Sequence, residues 1–321
     1  MIVRFGYAAM SSIVKNASPS KTMTAAQFVK IADKEAAVRK LERIAAENLR
    51  NTLRLLYHNR AHDIRLYRFS SRLIPLYGHE MLNGWDPIGA LKDLFAEIGG
   101  YAAEHGMRVG FHPEHYTVLS TPREDVFQSS VKDLQRHVGM LEAMGLNESA
   151  KCNIHIGGSY GNKEKAMDRF LRQCRQLPKA VRDRLTLEND DKTFDAAETL
   201  SACKQLGLPM VLDIHHHKVN RGGKELCDLW PEIQQTWDGE GELPPKIHAS
   251  SPKSDKDPRG HADYVNAQEL LRFLREIAAC TPRLDVMLEA KMKDQALFRL
   301  MDAWKAETGV EVLDQGSIAV S

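Results

Sequence analysis

Residues 210–217 read M-V-L-D-I-H-H-H. Met210, Val211 and Leu212 form an apolar, strand-forming run that leads into Asp213 and then into three consecutive histidines, His215, His216 and His217. This is the pattern of a buried strand whose far end carries chemistry. A core strand has no use for a carboxylate, whereas neutral imidazoles beside a carboxylate make the mixed nitrogen and oxygen donor set that borderline divalent cations prefer. Alone, the stretch also fits a surface histidine cluster, so the rest of the chain decides.

Working outward, short β-rich runs alternate with helical patterns. The runs are Ile2 to Tyr7, Ile64 to Phe69, Arg108 to His112, Lys151 to Ile156, Arg184 to Asn189, Pro209 to Ile214, Pro245 to Ala249 and Asp285 to Ala290. Between them, Val38, Leu41, Ile44, Ala45, Asn48 and Leu49 repeat near period 3.6 in a helix expected from about Asp33 to Tyr57. Asp86 and Pro87 open a helix to about His105, and another runs from about Arg123 to Met144, ended by Gly145. Eight strands and eight helices in strict alternation imply parallel strands with right-handed crossovers, hence a (β/α)8 barrel occupying residues 1–321 as one domain. A doubly wound open sheet is the alternative, but the Gly6-Tyr7-Ala8-Ala9 turn lacks the glycine-rich dinucleotide pattern.

Composition narrows the function. With 44 Lys and Arg against 43 Asp and Glu, the net charge of +1 provides no whole-molecule attraction to nucleic acid or membrane, so any DNA-binding surface must be local. The five cysteines are scattered without a C-x-x-C pair, which argues for reduced thiols. Without an apolar leader or a membrane-length window, a soluble cytoplasmic protein with no membrane association is expected.

Polar residues gather at the C-terminal strand ends: Tyr7, Arg68, His112, His155, Glu188, Asp213 with His216, His248 and Glu289. In a barrel these ends converge on the face that carries active sites. Six consecutive strands ending in Glu, Asp or His point to a multinuclear metal site, because ionisable groups are expensive to bury unless paired or metal-bound. Donors of this kind suit Mn, Zn, Co or Fe, and a carboxylate such as Glu188 can bridge two ions. Paired ions are suited to in-line phosphoryl displacement, so phosphodiester hydrolysis is the leading chemistry.

The runs H-P-E-H-Y (112–116), I-H-I-G-G-S-Y-G (154–161), L-E-N-D-D (187–191), D-I-H-H-H (213–217), K-I-H-A-S-S (246–251), G-H-A-D-Y (260–264) and M-L-E-A-K (287–291) together resemble the UV damage endonuclease family. So do the opening G-Y and R-L-I-P at 72–75. The resemblance implies a (β/α)8 barrel related to endonuclease IV. It also implies up to three divalent ions, commonly manganese, with magnesium, cobalt or zinc as alternatives. The implied reaction is cleavage of UV-damaged double-stranded DNA immediately 5′ to photoproducts, leaving a 3′-hydroxyl and a 5′-phosphate, with no obligate protein partner. By position it implies that His112, His155 and Glu188 hold a first metal, that Glu188, Asp213, His248 and Glu289 surround a second, and that His216 and His261 bind a third. His215 and His217 are expected in supporting or solvent positions. His79 resembles a phosphate-side histidine, and Tyr7, His115 and Tyr116 match lesion-probing positions, although His115 stands where the family has Gln.

Lys246 lies two residues before His248, so in a strand both side chains share a face. An ammonium beside divalent ions is unfavourable; Lys246 is expected to be deprotonated, carbamylated or turned onto a phosphate, and is assigned a catalytic role with Glu188 and Glu289. Lys291 shares the parity of Glu289 and has a weaker claim. DNA contacts are expected from Lys253, Lys256 and Arg259 in one loop and Arg221 and Lys224 in another, with Arg68 and Arg72 adding to the surface. Two other readings share parts of the pattern. A sugar isomerase or epimerase of the xylose-isomerase-like barrel type would have the metals without need of basic loops, and a non-catalytic damage-binding protein would not need the ligands.

Overall fold

The structure is a computed structural model that describes residues 1–321. Eight parallel strands close into a barrel: β1 (Ile2–Ala8), β2 (Leu66–Arg68), β3 (Arg108–Phe111), β4 (Lys151–His155), β5 (Leu185–Glu188), β6 (Met210–Asp213), β7 (Lys246–Ala249) and, after the hairpin β8 (Pro252–Ser254) and β9 (Asp257–His261), β10 (Arg283–Leu288). Closure is the β10–β1 pairing, with Gly6 opposite Met287 and Tyr7 opposite Leu288. Strands β5 and β6 are buried at every residue, as expected of parallel strands covered on both faces, which is why, Thr186 apart, their sequences are apolar until the last position. Gly6 is needed where β1 meets β2: a Cβ there would lie 1.9 Å from the Leu66 carbonyl oxygen. No helix is long and apolar enough to cross a membrane.

The expected alternation is present, with short extra helices Ala25–Val29 before the long helix that precedes β2 and Lys179–Arg182 before β5, and with three further differences. The helix expected from Asp86 to His105 is two helices, Pro87–Ala90 and Lys92–Glu104, parted at Leu91, whose φ of −120° and ψ of 18° leave the helical region. Two helices, Ile214–Val219 and Leu226–Gln235, separate β6 from β7 where one was expected. Beyond the eighth unit the chain adds β11 (Val310–Asp314) and β12 (Ser317–Val320), and β12 pairs antiparallel with Ile2–Arg4 at the N-terminal end of β1. That end is also closed by ion pairs, Asp285 accepting from Arg4 Nε and from Arg108 Nη1 at 2.8 Å each.

Candidate metal centre

Each expected ligand stands at or just past the end of its strand, so the barrel register brings them together. Donor atoms of His112, His155 and Glu188 all lie within 4.8 Å of one another, and so do those of Glu188, Asp213 and His248. Glu188 is common to both groups. Its Oε2 is 3.1 Å from His112 Nε2 and 3.9 Å from His155 Nε2, while its Oε1 is 3.0 Å from His248 Nδ1 and 3.5 Å from His216 Nδ1. Glu289 lies 3.3 Å from His248 and 4.0 Å from His261.

The histidine run is helical, and that decides its members' fates. Asp213 caps the helix, its Oδ1 accepting from the His215 and His216 amides at 2.7 Å, so successive side chains fan out about 100° apart. His216 turns inward, 3.7 Å from Asp213 Oδ2, with Nδ1 directed to the Asn189 carbonyl at 2.9 Å. His215 turns toward the hairpin and stacks on His261 with ring centroids 5.4 Å apart. His217 turns away and lines a cavity of about 350 Å³ with Leu226 and Phe273. Both outer histidines are buried rather than solvated, which corrects the solvent alternative raised for them. His216 and His261 are neighbours, ring centroids 6.4 Å apart, but no third group of three donors closes around them.

Burial and charge set the proton inventory. Burial pushes the Asp213 carboxyl up, the Glu188 and Glu289 charges reinforcing it, to about 8. Burial lowers His216, yet the facing carboxylates Asp213, Glu188 and Glu289 win and raise it to about 9. Burial lowers His248 to about 4. Glu188 is raised by burial but held well below the usual carboxylate range by His248, His155 and His112. Lys246 lines a small void with Arg68, Arg108 and Lys151; burial, then Arg108 and Arg68, bring it down to about 7. In that state it loses much of its charge near neutrality, which removes the objection to an ammonium near metals.

The donor set fits divalent cations. Glu188 Oε1, Asp213 Oδ2, both ring nitrogens of His248 and Nδ1 of His261 are buried without hydrogen-bond partners. Orphaned acceptors that face one another are costly unless an ion sits between them. Sequence reading missed the groups that aim these donors. Asn153 donates to Glu188 Oε2 and accepts from Thr186 at 2.8 Å, while Asn189 exchanges two bonds with the Asp213 backbone, at 3.0 and 2.9 Å. The only sequence signal was their strand parity or adjacency to a ligand. Lys293 was also missed; it adopts a left-handed φ of 50° beyond Glu289, and burial followed by Arg68 lowers its pKa.

The expected DNA contacts divide. His115 and Tyr116 are exposed after β3, Tyr116 by 62%. Lys253, Lys256 and Arg259 are exposed on the β8–β9 hairpin beside the expected ligand His261, and Arg221 and Lys224 are exposed after the histidine helix. Arg259 is held by Asp191 at 2.6 Å and Arg221 by Glu225 at 2.9 Å, so either would have to give up a carboxylate to meet a phosphate. Arg68 is taken by Glu289 and Arg72 by Glu114. His79 caps a turn, its Nδ1 accepting from Met81 N at 3.4 Å. Lys291 is exposed. Tyr7 is a correction: it is fully buried, its hydroxyl donating to Asn59 Oδ1 at 2.7 Å, because β1 points it between barrel and helix. So buried, it has no exposed surface to offer a duplex.

The profile described as UV-endonuclease UvdE matches residues 3–320. The chain belongs to the UV-endonuclease UvdE family. It is 44% identical over 302 residues to a UV DNA damage endonuclease of Halalkalibacterium halodurans, covering 94% of each chain. Its identity to one from Bacillus pumilus is 42% over 319 residues, covering 99% of each. The SacUVDE crystal structure superposes with a TM-score of 0.82 at 28% identity, covering 94% of this chain and 98% of that one. Endonuclease IV from Thermus thermophilus, at 15% identity and a TM-score of 0.55 over 95% of this chain and all of that one, shares the fold. So does a D-tagatose 3-epimerase-like protein, at 12% and 0.53, covering 94% and 96%. Family membership, not the barrel, therefore separates nuclease from epimerase.

Proposed function

We propose that this UvdE-family protein nicks UV-damaged double-stranded DNA immediately 5′ to photoproducts, cyclobutane dimers and 6-4 products, by metal-dependent hydrolysis that leaves a 3′-hydroxyl and a 5′-phosphate. The observation that carries the reading is Glu188, whose two oxygens face two separate histidine-bearing groups on the strand-end face. His112, His155 and Glu188 would hold one ion, Glu188, Asp213 and His248 a second with Glu289 beside it, and His216 and His261 are the remaining donors for a third; manganese is the favoured metal. Bound divalent ions supply an activated water and neutralise charge developing on the phosphoryl group.

The chain's own groups do the rest. Asn153 and Asn189 hold the donors in register, and Arg68 holds Glu289. Lys246, poised to lose its proton near neutrality, accommodates cations above it. The hairpin cations Lys253, Lys256 and Arg259, with Arg221 and Lys224, are exposed where they can follow a phosphate backbone. Exposed Tyr116 with His115 is suited to fill the gap when damaged bases leave the stack. The test is nicking of oligonucleotides bearing one defined lesion, with Mn²⁺, Mg²⁺, Zn²⁺ or chelator. A lesion-dependent 5′ nick abolished by chelator is expected. Sugar turnover without nicking, or binding of irradiated duplex that ignores chelator, would overturn the reading.

A further inference from the structure

The loop that leaves the C-terminal end of β1 is not free chain. One stripe of the helix Lys34–Ala61, at spacings of three, three and four, holds it residue by residue. Asn48 accepts from the Lys21 amide and donates to its carbonyl, both at 2.8 Å. Asn51 donates to the Ser18 carbonyl at 2.9 Å, and Arg54 donates to the carbonyls of Asn16 and Lys15 at 2.8 and 3.2 Å. The fourth member, His58, reaches Asp294 with its Nε2 at 3.0 Å.

Asp294 is the point where this arrangement meets the site. It is fully buried, and its carboxylate accepts from the Ser11 hydroxyl, from Ser12 N at 2.8 Å, from Ser12 Oγ at 2.9 Å and from His58. Ser11 Oγ in turn accepts from the amides of Ile13 and Val14 at 3.0 and 2.8 Å, and Ser12 Oγ also donates to the Met292 carbonyl at 2.8 Å. The loop so held raises two apolar side chains into solvent, Met10 at 42% and Ile13 at 45% exposure, on the face where β1 ends beside β10. Asp294 itself stands five residues beyond Glu289, in the first turn of the helix Lys293–Trp304 that follows β10. A buried charge with this many donors, drawn from the Ser11–Ser12 loop and from His58 on the long helix, fixes geometry, since removing it leaves several donors unsatisfied together.

We propose that Asp294 is a positioning residue for DNA engagement: it holds the loop Ala9–Val14 in the shape that presents Met10 and Ile13 to the duplex, and locks that loop to the Glu289 turn. The proposal rests on the function proposed above. Asp294 touches neither a metal donor nor DNA; its effect passes through Ser11, Ser12 and His58.

The test compares wild type with Asp294→Asn, Ser12→Ala, His58→Ala and His58→Gln in the full-length, Mn²⁺-loaded protein. Three quantities are read: KM and kcat for nicking of a duplex with one defined photoproduct, Mn²⁺ affinity, and amide exchange of residues 9–14. Expected for Asp294→Asn is a KM raised about tenfold with kcat within about twofold, unchanged Mn²⁺ affinity, and faster exchange confined to the loop. Ser12→Ala, at an exposed position that does not threaten folding, moves the same quantities in the same direction. His58→Gln, which keeps a donor toward Asp294, lies closer to wild type than His58→Ala. A KM within twofold of wild type in Asp294→Asn and Ser12→Ala overturns the proposal, as does a fall in kcat at unchanged KM or faster exchange throughout the barrel. If wild type itself fails to nick, the functional reading fails, whereas loop exchange in the variants still reads whether Asp294 holds the loop.

Discussion

Glu188 concentrates the site's dependence in one carboxylate. Its oxygens lie 3.0 Å from His248 and 3.1 Å from His112, and no other residue belongs to both donor groups. Glu188→Gln keeps the volume and replaces one anionic oxygen with an NH2 group that repels a cation. Nicking is expected to fall by about 10³-fold or more, with metal content lowered in both groups, as removal of charge-stabilising groups at reacting centres does. Near-normal nicking of irradiated plasmid by this variant would remove the assignment. Asn153 tests the same centre one step out, because it holds Glu188 Oε2 and is itself held by Thr186. Asn153→Ala is expected to weaken metal binding by about 10- to 100-fold, the usual effect of removing a ligand's orienting partner. Titration calorimetry with Mn²⁺ checks this, and unchanged affinity would show that Glu188 needs no such support. Lys246→Ala is expected to lower both activity and metal content; full retention of both would end its assigned role.

At the scale of elements, the β8–β9 hairpin carries the argument for DNA, since it presents Lys253, Lys256 and Arg259 beside His261. Each cation that neutralises one phosphate contributes about 0.9 to the slope of log affinity against log salt. A Lys253→Ala, Lys256→Ala double variant should therefore bind duplex with a slope shallower by about 1.8. A slope equal to wild type would mean that the hairpin does not track the backbone. This hairpin also marks a limit of what was legible in the sequence. The barrel strands could be read because burial on both faces forces apolar runs, and their final residues stood out as ionisable groups in apolar company. The hairpin, with every residue of β8 exposed, has no such pattern, and its S-P-K-S-D-K-D-P-R-G looks like loop. The terminal β11 was missed for a related reason: it alternates half-buried and exposed residues at the rim and lies beyond an eight-unit pattern already complete. The solvent alternative for His215 and His217 fails because the helix capped by Asp213 spreads three successive side chains over three directions, and the two outer ones are buried there.

For the whole molecule, under the function proposed above, the near-zero net charge leaves metal loading, not bulk electrostatics, as the condition that would ready the face for an anionic substrate. Loading is a competition with protons. The metal-free protein binds protons on Asp213 up to about pH 8 and on His216 up to about 9, both raised above their ordinary values, while Lys246 retains its proton up to about 7. A cation must displace the first two and is repelled by the third when charged, so all three act in the same direction. Apparent affinity should rise as pH increases from about 6.5 to about 9, and Mn²⁺ binding at pH 7 should release protons. His248, already neutral above about 4, contributes no slope in this window. Calorimetry at pH 7 in buffers of different ionisation enthalpy counts the protons released, and repeating the titration at pH 6.5 and 9 gives the trend. Affinity independent of pH across that range, with no proton release, would mean that ions bind elsewhere than at Asp213 and His216. Nicking at limiting Mn²⁺ should follow the same rise and flatten once the metal is saturating, because only the loading step carries this proton competition.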